Sequence, residues 1–299
     1  MVFGLEHYEA IVAGNQMPRF FLARETGFLN EKIGETECIL ENCELCERSC
    51  GVDRLHGVKG FCGAGVEPRV FGAHPHYGEE AELVPSGTIF FSGCTMRCVY
   101  CQNAPQSVNA ELGEKWGFER IAQCMEGMQA QGCKNINFVG GDPTPNLLAI
   151  LKALSITKAS LPVVWNSNSY YSEKTARLLE GIVDVFLLDF RYFSNECAEK
   201  YSDSPFYVET AKSNLLKAKK NAELLVRVLV MPSHIECCAK PILEWIAKNT
   251  GKNTRVNIMD QYYPAFNSFR FPEINKRLSR LEFVQVLEFA ESLGLKNLA

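Results

Sequence analysis

From Ser86 onward, six short apolar runs of β type alternate with longer helical patterns, and no other feature constrains the fold as tightly. The runs are Thr88–Phe91, Asn135–Val139, Pro162–Trp165, Asp184–Leu188, Leu224–Val230 and Arg255–Ile258. Helical stretches lie between them, about Phe118–Gln131, Asn146–Lys158, Ser172–Glu180, Asn214–Asn221 and Ile235–Asn249, and Leu278–Leu293 closes the chain. Strand–helix alternation demands right-handed crossovers and a parallel sheet. At roughly 30 or more residues per unit, the stretch from Ser86 holds about six βα units. A closed eight-unit barrel takes about 250 residues. The expectation is an α/β fold built as an open six-unit barrel. Residues 1–85 lack the alternation, and Pro68, Pro75 and Pro85 punctuate their end. This predicts an N-terminal Cys-rich extension, 1–85, followed by a barrel, 86–299.

Chemistry in such barrels gathers at the C-terminal ends of the strands, so each end is expected to turn polar or glycine-rich. The first ends in Ser92–Asn103, SGCTMRCVYCQN, which carries Cys94, Cys98 and Cys101 in C-x3-C-x2-C spacing. Three closely spaced thiolates after a strand suit an iron–sulfur cubane, usually held by four cysteines. Three ligands leave one iron open, and an open metal position is where substrate binds. A zinc loop or a set of buried free thiols is the alternative. The second strand ends in Gly140-Gly141-Asp142-Pro143-Thr144, where two glycines expose backbone to a ligand at close range. The third ends in Asn166-Ser167-Asn168-Ser169, good turn formers that equally suit a polar ligand. The fourth ends in Asp189-Phe190-Arg191. The fifth carries Arg227 within an apolar strand, and a buried guanidinium requires an anionic partner, either a ligand carboxylate or Asp184 or Asp189. The sixth ends in Asp260-Gln261-Tyr262-Tyr263-Pro264, expected to face substrate.

A second cysteine group precedes the barrel: Cys43, Cys46, Cys50 and Cys62, with glycines between and after them. Four cysteines complete a ligand set for either tetrahedral zinc or a [4Fe–4S] cluster, and the spacing does not separate the two. Between this group and the barrel, Ala73–Glu82 holds two histidines and three carboxylates, read as mostly a solvated linker. Thirteen cysteines, an odd total, without an export-type N-terminus point to metal ligands and free thiols in a reducing cytoplasm, and to an oxygen-avoiding cell. No apolar run is long enough to span a membrane. A net charge of −4 without a basic tract argues against nucleic acid as a partner.

With Tyr100 placed just before the third cysteine, the loop resembles the signature of the radical S-adenosylmethionine (radical SAM) superfamily. The C-x2-C-x3-C prefix, FFSGC-x3-C-x2-CQN, GGDPTP and VNIMDQYYPAF resemble its pyruvate formate-lyase activating-enzyme-like (PflX) branch. The resemblance implies a partial (β/α)6 TIM-type barrel, a [4Fe–4S] cluster on Cys94, Cys98 and Cys101, and SAM as cofactor. It implies that Gly140, Gly141 and Asp142 hold the methionine amino group, Asn166 and Asn168 the ribose edge, Arg227 the carboxylate, and that Tyr100 lies beside the adenine. Asp189 with Arg191 resembles that branch's D-x-K stretch, with arginine in the lysine position. The implied reaction is reductive cleavage of SAM to a 5′-deoxyadenosyl radical, which abstracts hydrogen from a protein, peptide or small-molecule substrate. The electron donor would be reduced flavodoxin or a ferredoxin-type protein. Leu83–Gly87 stands where glycyl-radical activases carry G-P-G-x-R. A non-catalytic zinc or iron–sulfur binding module on a relict barrel is the competing class.

Overall fold

The structure, a computed structural model, describes residues 4–298; the outermost positions of the two expected domains, 1–3 and 299, lie outside it. Three helices come first: α1 (Glu6–Val12), α2 (Arg19–Glu25) and α3 (Phe28–Glu41). The strands are β1 (Arg69–His76), β2 (Ser86–Phe91), β3 (Glu114–Lys115), β4 (Asn135–Gly140), β5 (Val163–Ser167), β6 (Val185–Asp189), β7 (Glu223–Leu229) and β8 (Arg255–Met259). They form one sheet in the order β3-β1-β2-β4-β5-β6-β7-β8. From β2 to β8 every pairing is parallel, whereas β1 and β3 add antiparallel strands at the edge. The crossover helices are α4 (Phe118–Ala130), α5 (Leu147–Ile156), α6 (Glu173–Leu179), α7 (Asn195–Ser202), α8 (Tyr207–Asn221) and α9 (Lys240–Asn249), and α10 (Arg280–Ser292) ends the chain. The six anticipated parallel strands all form, with ends shifted by one or two residues.

Side chains alternate across a strand, so a parallel strand can feed two cores, as β5, β6 and β7 do. Ile89, Phe91, Ile136, Phe138, Trp165, Phe186, Leu188, Val226, Val228 and Ile258 point outward into the large core with the helices. Val164, Val185, Leu187 and Leu225 point inward and form a smaller cluster with Leu5, Tyr8 and Leu83. The lower end of the barrel is therefore stoppered by the first helix. Asn135 Nδ2 donates to Tyr8 Oη at 2.9 Å, and Glu223 accepts the Tyr8 amide at 2.8 Å, which pins α1 there.

The stretch read as a solvated linker is different in kind. Part of it is β1, paired with β2 from Val70 to His76. The rest carries carboxylates to the far edge of the sheet. Glu80 accepts from Arg227 Nε at 2.7 Å and from Asn257 Nδ2 at 2.9 Å, Glu79 also pairs with Arg227, and Glu82 accepts from Arg255 Nε at 2.7 Å. Arg227, Asn257 and Arg255 all lie on the inward parity of β7 and β8, so residues 79–82 close the open side of the barrel with buried charge. Arg227 thus finds its anions here rather than in Asp184 or Asp189. Asp184 faces the N-terminal helices instead, accepting from the Arg19 amide at 3.0 Å and the Val163 amide at 2.8 Å.

Candidate active site

Two residues beyond Val164, Leu187 and Leu225, on the same face, stand Asn166, Asp189 and Arg227. Strand parity alone therefore lifts these three to the upper end of the barrel interior. There they line a mouth with Cys94, Cys98, Tyr100, Cys101, Gly140, Gly141 and Asn168, together with Arg191 and Gln261. Every parallel strand contributes to its rim.

The cysteine loop is held against β4 by backbone contact. The Gly141 amide donates to Phe91 O at 2.9 Å, and Asn103 Nδ2 donates to Gly140 O at 3.2 Å. A Cβ on Gly140, whose φ is +124°, would lie 2.1 Å from Phe91 O, and one on Gly141 would lie 1.9 Å from Gly93 O. Only glycine lets the two strand ends meet, which explains the Gly-Gly pair before any ligand is considered.

Each of the three sulfurs receives a polar neighbour from a different part of the fold. Ser202 Oγ donates to Cys98 Sγ at 3.0 Å, Asn168 Nδ2 to Cys94 Sγ at 3.5 Å, and Cys101 Sγ lies 3.0 Å from Ser107 Oγ. The Met96 amide also donates to Cys94 Sγ, at 3.4 Å. Burial pushes the Cys94 and Cys98 thiols up, so a thiolate there needs a positive counterpart such as iron. Hydrogen bonds to sulfur are the usual means by which a protein tunes an iron–sulfur cluster. Nearby, Asn166 Nδ2 and Arg191 Nε are buried donors without a partner, as an anionic or carbonyl-bearing ligand in the mouth would require. The residues present fit a cubane held by three cysteines with a polar ligand at its open corner.

Asp142 stands apart from the other expected residues, and Tyr100 makes a further contact behind the mouth. Asp142 does not reach the mouth. It sits behind the rim, accepting from the Thr144 amide at 2.9 Å, Ser167 Oγ at 2.9 Å and the Asn168 amide at 3.0 Å. Burial raises its pKa despite these bonds. Its geometry is that of a positioning residue for the Asn166–Ser169 turn. Tyr100 is buried, and its hydroxyl lies 2.6 Å from that of Tyr192, which lies 2.6 Å from Ser202 Oγ. Tyr100, Tyr192, Ser202 and Cys98 thereby form one hydrogen-bonded chain. Tyr192 and Ser202 carried no local motif in the sequence. From the sixth strand end, Gln261 reaches the mouth while Tyr262 is core, packed on Tyr100 with ring centroids 5.7 Å apart.

Cys43, Cys46, Cys50 and Cys62 converge on the other side of the same loop, around a space also lined by Arg48, Arg54, Phe61 and Thr95. Thr95 adjoins Cys94, and Arg48 Nε donates to Thr95 O at 2.7 Å, so the two cysteine sets are neighbours. Arg54 is 1% exposed, donates to the carbonyls of Gly65 and Pro145, and its charge also acts on the Cys43 thiol. Its Nε has no partner and, among the described residues, no carboxylate pairs with it. A buried cation in that state needs an anion, which a four-thiolate centre would supply. Gly60 lies so close to Cys50 that a Cβ would stand 2.4 Å from its sulfur.

Known proteins resemble this chain in sequence and in fold. The family model for the Radical SAM superfamily matches residues 88–246, more than half of the chain. The uncharacterized protein MJ0674 of Methanocaldococcus jannaschii is 40% identical over 275 residues, covering 89% of this chain and 79% of its own. Streptococcus suis SuiB bound to S-adenosylmethionine superposes with a TM-score of 0.52 at 10% identity, over 67% of this chain and 44% of SuiB. The hydrogenase maturase HydG superposes with a TM-score of 0.51 at 15% identity, over 71% of this chain and 51% of HydG. This chain therefore spans about half or less of those two proteins, and they show the fold alone. No helix among the described residues is long and apolar enough to cross a membrane. The three-cysteine loop, the open barrel and the matched family model establish that the chain belongs to the Radical SAM superfamily.

Proposed function

We propose that this chain is an activating-enzyme-like (PflX-type) radical SAM oxidoreductase that cleaves SAM reductively and directs the resulting radical at a protein, peptide or small-molecule substrate. The single observation that carries the reading is the set of three sulfurs, each with its own hydrogen-bonding neighbour, at a rim lined by unpartnered donors. When bound, the cluster and SAM supply homolytic C5′–S cleavage. The chain's residues hold and shield them. Cys94, Cys98 and Cys101 would ligate iron, and the Gly140–Gly141 backbone, Asn166, Asn168 and Asp189 would line the SAM site. Arg227 is already engaged by Glu79 and Glu80 and donates to Asn166 Oδ1 at 3.3 Å. It orients that amide, and the open Nε of Arg191 is the better partner for the carboxylate of SAM. SuiB has been solved with its precursor peptide SuiA, which makes a peptide a reasonable first substrate class to assay. A flavodoxin- or ferredoxin-type protein would supply the electron, in a reducing cytoplasm.

The second cysteine set is, in this reading, also a [4Fe–4S] site. Tetrahedral zinc with Zn–S of about 2.3 Å would draw four sulfurs to about 3.8 Å from one another. Among the described residues, the one group of three metal-binding side chains with ligand atoms all within 4.8 Å of one another lies elsewhere, and a cubane accepts the wider spacing. Beside Thr95, such a cluster suits an electron-transfer role.

Anaerobic reconstitution with iron and sulfide should give about eight irons per chain, and dithionite with SAM should release 5′-deoxyadenosine. Cys94→Ala/Cys98→Ala/Cys101→Ala should lose about four irons and all cleavage, and Cys43→Ala/Cys46→Ala should lose the other four. No cleavage above a SAM-only blank, with intact clusters present, would refute the radical reading. Zinc at Cys43–Cys62 would refute the second cluster alone.

A further inference from the structure

Outside both cysteine sets, a third group of thiols converges with an imidazole. Cys197 lies in the first turn of α7, where Ser194 Oγ caps the helix by accepting the Cys197 amide at 3.3 Å. His234 immediately precedes the π-helical turn Ile235–Ala239 that opens α9, and Cys237 lies within that turn. Their three ligand atoms all lie within 4.8 Å of one another.

The imidazole is prepared as a ligand. His234 is 5% exposed, and its Nδ1 lies 2.9 Å from the carbonyl of Pro232. A carbonyl oxygen only accepts, so Nδ1 carries the proton and Nε2 keeps its lone pair. Nε2 is then the nitrogen that offers a lone pair to a metal ion. A ligating histidine whose other nitrogen donates to a backbone carbonyl is the usual arrangement around bound metal. Cys237 is exposed, which leaves one side of the group open to water, and Cys238 Sγ lies 3.8 Å from Cys237 Sγ as a buried neighbour. Zinc with Zn–S of about 2.3 Å and Zn–N of about 2.0–2.1 Å would need ligand atoms about 3.4–3.8 Å apart, so binding would draw the three inward from the 4.8 Å within which they now lie.

We propose that Cys197, His234 and Cys237 bind a single thiophilic divalent cation, zinc, with its fourth position taken by water. The ion would join the segment after β6 to the segment after β7. Helix α7, which it would fasten at Cys197, carries at its other end Tyr201 and Ser202. Those residues accept the Val99 and Arg97 amides at 2.8 and 2.9 Å, and Ser202 donates to Cys98 Sγ. The ion would thus fasten the helix that holds the cluster loop, as a structural clip without a part in the reaction. The proposal does not depend on what either iron–sulfur site does.

The test is metal analysis of the anaerobically iron-loaded full chain after exposure to zinc and removal of excess with a weak chelator. About one zinc per chain is expected, lost in Cys197→Ser/Cys237→Ser and in His234→Gln with the iron content unchanged. No retained zinc, or zinc that survives both variants, would overturn the assignment. Should the variants lose iron as well, X-ray absorption at the zinc edge of the unsubstituted protein decides. A shell of two sulfurs with nitrogen or oxygen supports the site, and four sulfurs assign the zinc to Cys43–Cys62 and overturn it.

Discussion

Replacing Glu80 by glutamine tests whether buried charge closes the open side of the barrel. The Glu80 side chain is 0% exposed and that of Arg227 is 15% exposed, and three hydrogen bonds of 2.7–2.9 Å join Glu80 to Arg227 and Asn257. Removing one partner of a buried pair costs about 3–5 kcal/mol. Glutamine keeps one acceptor and Glu79 keeps one charge, so we expect a loss of about 2–3 kcal/mol, roughly one charged hydrogen bond. For a chain of this size that lowers Tm by about 4–6 °C. Burial alone would raise the Glu80 pKa, but the Arg227 charge with its hydrogen bonds and that of Asn257 outweigh it, and the net direction is down from the ordinary 4.5. A depressed carboxylate stabilises above its unfolded pKa and loses that contribution as pH falls through the folded one. The difference between the two proteins should therefore persist at neutral pH and shrink in acid, below about pH 4.5. Arg227→Met should cost more than Glu80→Gln, because it leaves two buried carboxylates unpaired. Combining Arg227→Met with Glu79→Gln/Glu80→Gln should cost less than the sum. Thermal melts of the iron-loaded protein across pH measure all of this. A Glu80→Gln melt within about 1 °C of the parent, or strictly additive losses, would refute the reasoning.

Asp142→Asn should destabilise by about 1–3 kcal/mol in a denaturant melt, since an amide cannot accept from all three donors now bound. It should also disturb SAM affinity only through the Asn166–Ser169 turn, so a loss of SAM binding with unchanged stability would contradict its placement behind the rim. Ser202→Ala removes a donor from Cys98 Sγ and should shift the cluster to a more negative reduction potential in an EPR-monitored redox titration, with iron content retained. His7 is raised above its ordinary 6.5, first by the Asp184 carboxylate 3.3 Å from its Nε2, so its contribution is full below that value and is lost as pH rises through the folded pKa. His7→Gln should remove the loss of stability seen as pH rises above 6.5, an effect of under about 1 kcal/mol in pH-dependent melts.

The parallel strands were legible because strands buried on both faces read as continuous apolar runs, as in β5, where all five residues are buried. The mouth followed from the rule that polar residues cluster at their C-terminal ends. Strand β1 was not legible, since Gly72 and Pro75 interrupt it and its register is set by β2. Helix α7 escaped because it is mostly polar, with only Ala198, Tyr201 and Ser202 buried. The partners of Arg227 lie 147 and 148 residues away in a stretch whose composition reads as solvated, so tertiary closure alone brings them in. Asp142 was read as cofactor-binding from its place in the glycine turn, and the direction of its side chain depends on the neighbouring strand. Cys197 and His234 are separated by the rest of α7 and by the whole of α8 and β7, which hides their meeting from any local pattern.

The plug formed by Leu5, Tyr8 and Leu83 has a kinetic corollary. With its floor filled by these side chains, the barrel interior among the described residues opens at the mouth around Asn166, Asp189 and Arg227, and traffic through one doorway is ordered: what enters last must leave first. SAM held by Asn166, Asn168 and Asp189 at that mouth would be covered by a large substrate docking over it, and spent fragments would then be exchanged only after that substrate had cleared the entrance.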